Sequence, residues 1–201
     1  MDAPGWDERY AATDLVWSKG PNQFLPPVTA GLPLGSALDL ACGEGRNAIW
    51  LATQGWEVTA VDFSTVGIDK GRELAGATAV NWVASDVTTY RPNQQFDLVL
   101  VFYLHLLADE FEHAITTAVD SVADGGALFC VGHALRNLSD GHGGPPVPDI
   151  LWTKSLFADA LADLSVVELG ERLRQTPDGD AIDFVVHATR NAPGKPRQPA
   201  V

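Results

Sequence analysis

From residue 37 onward, short apolar runs rich in β-branched residues alternate with stretches of helical periodicity. Segments 37–41 (ALDLA), 57–62 (EVTAVD), 81–86 (NWVASD), 96–104 (FDLVLVFYL) and 126–133 (GALFCVGH) predict strands. Several are apolar on successive residues, as expected of strands covered on both faces of a parallel sheet. Between them Phe111, Ile115, Ala118 and Val122 form one helical stripe, and Leu156, Phe157, Ala160, Leu161 and Leu164 form another. The rhythm then changes. Residues 164–175 and 181–190 flank the turn segment TPDGD (176–180) and predict a hairpin. The pattern as a whole predicts an α/β fold, a doubly wound, mostly parallel seven-stranded sheet of Rossmann-like type closed by a terminal antiparallel hairpin.

Three segments break the alternation. Residues 1–30 carry Trp6, Tyr10 and Trp17 at near-helical spacing, 102–110 follow the fourth strand, and 134–152 are rich in Gly and Pro. A connection as long as the last is usually functional or disordered. In an open parallel sheet, ligands bind at the carboxyl ends of the strands, where the last two segments begin. The expected organisation is one domain over 1–190, with 1–30 as an N-terminal lid and 191–201 as a disordered tail.

Charge narrows the partners. The 201 residues carry 13 Lys+Arg against 26 Asp+Glu, a formal net charge of −13. Such a surface has no general attraction for nucleic acid or anionic membranes, so a small-molecule substrate is expected. Cys42 and Cys130 sit at no ligand or pairing spacing, and the histidines show no metal-ligand pattern; no metal is expected. The acidic N-terminus is unlike a signal peptide, and no apolar run is long enough to span a bilayer. A cytoplasmic protein, monomeric or homodimeric, is the expectation.

The most informative stretch is LDLACGEGRNAIWLATQGWEVTAVDFS, residues 38–64. Gly43, Gly45 and Ala48 have the G-x-G-x-x-A spacing of a dinucleotide loop, with Asp62 further on. In that setting a pyrophosphate rests on the following helix N-terminus, and Asp39 just before the glycines would repel it. A zwitterionic ligand with cationic groups suits the same acid. S-adenosylmethionine carries a sulfonium and an ammonium, no phosphate, and a carboxylate for the loop N–H groups.

This stretch resembles the cofactor motif of class I S-adenosylmethionine-dependent methyltransferases, in particular the small-molecule branch with tellurite-resistance-type and thiopurine-type enzymes. WDERY…W…GPNQFL near the start is similar to that branch too. The resemblance implies that Asp39 and the backbone of Ala41, Gly43 and Gly45, with Arg46, hold the methionine part of the cofactor. Asp62 would accept from the ribose hydroxyls, and Phe63 and Ser64 would flank the nucleoside. Asp86 and Val87 would bind the adenine, and Phe102 completes the set. Trp6, Tyr10 and Trp17 would close over cofactor and substrate. Apart from the resemblance, Arg136 and Asn137 at the start of the long segment are candidates either for polar substrate groups or for the surface, and Tyr103 after the fourth strand is a further substrate-side candidate.

Methyl transfer requires in-line alignment and exclusion of water, and a hydroxyl acceptor needs a base as well. His105 after the fourth strand, His133 ending the fifth and His142 in the glycine-rich segment are the candidate bases. The sequence therefore predicts a methyltransferase acting on a small molecule, with a hydroxyl oxygen as the leading acceptor and a thiol or chalcogen compound as the alternative. An NAD-dependent oxidoreductase and a non-catalytic cofactor-binding module are the readings from other classes.

Overall fold

A computed structural model describes residues 2–192. The expected tail lies outside the described residues, apart from Asn191 and Ala192. The chain divides into two compact units, Met1–Tyr90 and Arg91–Val201.

The first unit runs α1 (Ala3–Ala11), α2 (Leu25–Thr29), β1 (Ser36–Leu40), α3 (Arg46–Thr53), β2 (Glu57–Asp62), α4 (Thr65–Ala75) and β3 (Asn81–Ala84). Its strands are parallel, with β2 between β1 and β3; Leu38 lies opposite Thr59 and Asp62 opposite Ala84. Residues 37–40 of β1 are all buried, which explains why that strand is apolar on consecutive positions. Asp39 is the exception in chemistry, since it is buried too. Ser64 caps α4 by accepting from the Gly67 amide at 3.0 Å, and Gly76 at φ +56° ends that helix.

The second unit runs β4 (Phe96–Phe102), α5 (Ala108–Asp120), β5 (Val122–His133), α6 (Asn137–Asp140), β6 (Ser165–Thr176) and β7 (Gly179–Thr189). β4 and β5 are parallel, β7 runs antiparallel to β5, and β6 and β7 form the expected hairpin, closing at Thr176 and Gly179. Seven strands thus occur among the described residues, and β/α alternation gives way to an antiparallel hairpin as the sequence pattern predicts.

Two predicted elements differ. Val122 does not extend the stripe of α5. The Ser121 hydroxyl donates to the Thr117 carbonyl at 2.6 Å as the helix ends, and Val122 starts β5 opposite Phe96. The apolar residues of 156–164 form no α-helix. A short 3-10 helix, Lys154–Phe157, is followed by turns bonded three residues back, such as Leu164 to Leu161 at 3.0 Å. Phe157, Leu161 and Leu164 are buried all the same. A segment this short gains little from α-helical cooperativity, so turns that bury the same side chains replace it. The segment 134–152 is ordered, its ends joined by a bridge between Ala134 and Trp152.

Candidate functional site

In the first unit, β1 ends in a loop that three consecutive features shape. Ala41 has φ +58°, Gly43 φ +57° and Gly45 φ +74°. A non-glycine residue held there stores strain of order 1–3 kcal/mol and marks a place where geometry outranks local stability. The Gly43 amide donates to Asp62 Oδ2 at 2.8 Å and the Ser64 amide to Asp62 Oδ1 at 2.9 Å. Asp62 thereby ties the glycine loop to the end of β2. Burial pushes its carboxyl above the ordinary carboxylate range, and these amides pull it back in part. Gly45 has a second reason to lack a side chain, because a Cβ there would run into the Trp82 ring.

Asp39 is nearly inaccessible, and neither carboxylate oxygen has a hydrogen-bond partner among the described residues. Burial raises its pKa from 3.8 to about 7; the Ala48 amide and the Arg46 guanidinium oppose the shift and do not cancel it. A buried acid compensated only in part is a costly arrangement that a cationic ligand would relieve. Asp86 follows β3 and is exposed, and its Oδ1 accepts from the Thr88 amide and hydroxyl, both at 2.8 Å. Val87 beside it is buried, and Phe63 is half-buried.

The N-terminal aromatics lie on the glycine loop. The Tyr10 ring is buried, its hydroxyl fills the space that a Cβ on Gly43 would occupy, and Gly67 leaves room for the ring edge. Burial raises the phenol's pKa above its ordinary value. Trp17 Nε1 donates to Tyr10 Oη at 3.4 Å, and Trp6 lies 5.4 Å from Tyr10 and 6.2 Å from Trp17 between ring centres. The Arg9 guanidinium covers both tryptophans. What holds this segment down was not singled out in the sequence. Glu44, between the two glycines, accepts from the amides of Val16 (3.0 Å) and Trp17 (3.2 Å) and pairs with Lys70 at 3.0 Å. Lys70 in turn donates to the carbonyls of Tyr10 and Thr13. Asp7 accepts from the Ser64 hydroxyl, Asn47 from the Asn22 amide, and Ser18 from Arg46.

The second unit carries a separate polar cluster at the carboxyl ends of β4 and β5. Phe102, the last residue of β4, is buried against Phe129. Tyr103 has φ +54°, the same departure that Ala41 shows after β1. Its hydroxyl donates to Asp183 Oδ2 at 2.8 Å, and Arg174 pairs with the same carboxylate while lying over the Tyr103 ring. His133 stacks on His105 at 5.5 Å, lies 5.1 Å from Tyr103, and places Nδ1 3.4 Å from Asp183 Oδ1. That pair is close but not aligned as a hydrogen bond.

The histidines expected as bases are not equivalent. His105 Nδ1 faces the Ile150 carbonyl at 2.9 Å and must carry the proton, while Nε2 faces the His133 amide at 3.5 Å and must accept. Both nitrogens of His105 thus face partners within the protein. Burial lowers its pKa. Burial also lowers His133, to about 4, with Asp183 opposing the shift and His105 and Arg174 adding to it. His142 is exposed, its amide bonded to the Asp180 carbonyl beside the hairpin turn. Arg136 is exposed and pairs with Asp140 and Glu171. Asn137, expected at the substrate, is buried and pins its own loop: Nδ2 donates to the Gly143 carbonyl and Oδ1 accepts from the Ile182 amide, each at 2.7 Å. Asp183 and Arg174 were missed. An acid inside the apolar run AIDFVV was the available signal.

Among the described residues, no group of three or more His, Cys, Asp or Glu side chains is arranged to hold a metal ion. No helix there is long and apolar enough to cross a membrane.

Residues 37–126 match the family model described as a methyltransferase domain. The chain is 26% identical over 157 residues to thiocyanate methyltransferase 1 of Arabidopsis thaliana, covering 73% of this chain and 67% of that protein. It is 26% identical over 102 residues to probable thiol methyltransferase 2 of the same plant, covering 47% of this chain and 45% of that protein. Its fold is that of N-methyltransferase NodS from Bradyrhizobium japonicum WM9, solved with S-adenosyl-L-homocysteine, at a TM-score of 0.75 and 19% identity over 94% of this chain and 99% of that one.

Proposed function

We propose that this chain, whose residues 37–126 match a methyltransferase-domain model, is a class I S-adenosylmethionine-dependent methyltransferase and that it methylates the sulfur of a small, soft acceptor. The cofactor, S-adenosylmethionine, supplies an electrophilic methyl group. In this reading Asp39 faces its cationic amino-acid part, the amides of the 41–45 loop take its carboxylate, and Asp62, Phe63, Asp86 and Val87 receive the nucleoside. The unpartnered buried carboxylate of Asp39 is the feature that fits such a ligand, and it argues against the pyrophosphate of a dinucleotide.

Sulfur is preferred to the hydroxyl oxygen expected from the sequence for a reason in the second unit. A hydroxyl gives up its proton reluctantly, whereas His105 is tied at both nitrogens and His133 is a weak base. A thiol is far less demanding. The names of the two plant relatives point the same way. The nitrogen chemistry named for the structural neighbour is the second reading.

Product analysis by mass spectrometry across small thiols, thiocyanate, sugar and phenol hydroxyls and primary amines tests this proposal. S-methyl products should form with kcat/KM at least tenfold above those of any oxygen or nitrogen acceptor. Methylation confined to hydroxyls or amines would overturn it.

A further inference from the structure

Within the second unit, β6 pairs with β7, and among the described residues no strand pairs with it on its other side. A strand open on one side presents unpaired N–H and C=O groups to another chain. The ladder against β7 shifts between Val166 and Glu168, then runs unbroken from Glu168 to Thr176. That regular stretch is where a further strand can add.

Gly170 stands in this stretch without a reason in its own chain. Its φ is not positive, and a Cβ there would meet nothing within 4 Å. A glycine inside a strand weakens it and marks a place where another backbone can approach closely. Glu168 and Arg172 lie two residues to either side and pair with each other, Arg172 Nε donating to Glu168 Oε1 at 2.6 Å. Three residues to either side are Val167 and Leu173, large apolar side chains left 60% and 61% exposed. The strand is thus close to symmetric in chemistry about Gly170, except that each charge is mirrored by its opposite.

We propose that a second copy of this chain covers the edge, with β6 pairing antiparallel to β6 of that copy about a two-fold axis through Gly170. An axis perpendicular to the sheet keeps its faces, so opposed residues must lie an even number of positions apart and the axis must pass through a residue. Through Gly170, Glu168 faces Arg172 of the second copy, and Arg172 faces its Glu168. Together with the pair inside each chain, four charges then alternate in sign around the axis. The missing side chain of Gly170 leaves them room, and Leu173 comes beside Val167 of the second copy. Other axes lose this match. One through Glu171 or Arg172 sets like charges directly opposite, which destabilises a ladder, and one through Leu169 leaves Glu168 facing Gly170. With the axis at Gly170, Glu171 faces Leu169 and keeps its partner Arg136 at 3.3 Å in its own chain. The net charge of −13 on each chain opposes association, so the dimer should dissociate on dilution.

Sedimentation velocity of the full chain in about 150 mM salt, over about a hundredfold range of concentration, should show the mass rising from one chain toward two. Glu168→Arg or Arg172→Glu alone puts like charges around the axis and should keep the chain monomeric throughout. Mixing these two variants should restore a dimer with one of each, because opposite charges again face across the axis while the pair inside each chain stays broken. A defect confined to one chain cannot give that recovery. Gly170→Cys reads the register directly. A residue on the axis faces its own copy with Cα atoms about 4.5–5.5 Å apart, within disulfide range, so this variant should cross-link under mild oxidation and Glu171→Cys should not. A wild-type chain that stays monomeric, a dimer that both charge reversals leave intact, or a mixture that fails to associate would each overturn the proposal. Should the reversals not fold, the cross-link decides, and its absence in Gly170→Cys is the overturning result.

Discussion

On the proposed reading, Asp39 trades stability for a ligand. Its folded pKa of about 7 stands above the ordinary 3.8, so the folded chain holds a proton that the unfolded chain releases between those values. Stability therefore falls as pH rises through that window, by up to ~4 kcal/mol for a shift of this size. Asp39→Asn should raise the melting temperature at pH 8, leave it close to wild type near pH 4, and abolish calorimetric binding of S-adenosylhomocysteine. Wild-type affinity should rise with pH through 7, because only the ionised carboxylate attracts the ammonium group. An Asn variant that binds normally would refute the role. Asp39 was legible in the sequence because an acid ahead of a glycine loop conflicts with a phosphate ligand. Glu44 was not, since nothing in the spacing tells the residue between two glycines to reach for the amides of Val16 and Trp17.

At the scale of elements, the first unit depends on a tie between its N-terminal segment and α4. Lys70 serves the carbonyls of Tyr10 and Thr13 and the buried Glu44 at once. Lys70→Met would leave Glu44 without its cation, and breaking one side of a buried pair costs about 3 kcal/mol or more. Amide hydrogen exchange over residues 10–17 should accelerate at least tenfold while β1 and β2 keep their protection; unchanged exchange in that segment would remove the tie from the account. The strands themselves were readable from runs of buried β-branched residues. The segment 154–164 was not, because an amphipathic spacing of apolar residues is satisfied equally by an α-helix or by successive tight turns, and tertiary packing chose the turns.

For the molecule as a whole, the −13 charge sets the solution behaviour. Self-repulsion among exposed carboxylates weakens the compact state at low ionic strength, and salt screens it. Raising sodium chloride from about 10 to about 150 mM, which contracts the Debye length from ~30 to ~8 Å, should add about 1 kcal/mol, or ~2–4 °C in melting temperature for a chain of this size. A fall in melting temperature over that range would show that attractive ion pairs outweigh the repulsion.

By itself the sequence determined the α/β alternation, the closing hairpin, the glycine loop and the acid just ahead of it. These are local properties: periodicity encodes which faces are buried, and a five-residue motif encodes its own backbone. Only the tertiary structure decided which polar side chains gather at the ends of β4 and β5. Tyr103 and Asp183 meet across a separation of 80 residues, and their meeting depends on the register of β5 against β7. A one-residue slip there would turn Asp183 to the opposite face, and no pattern within either segment records which register the folded chain adopts.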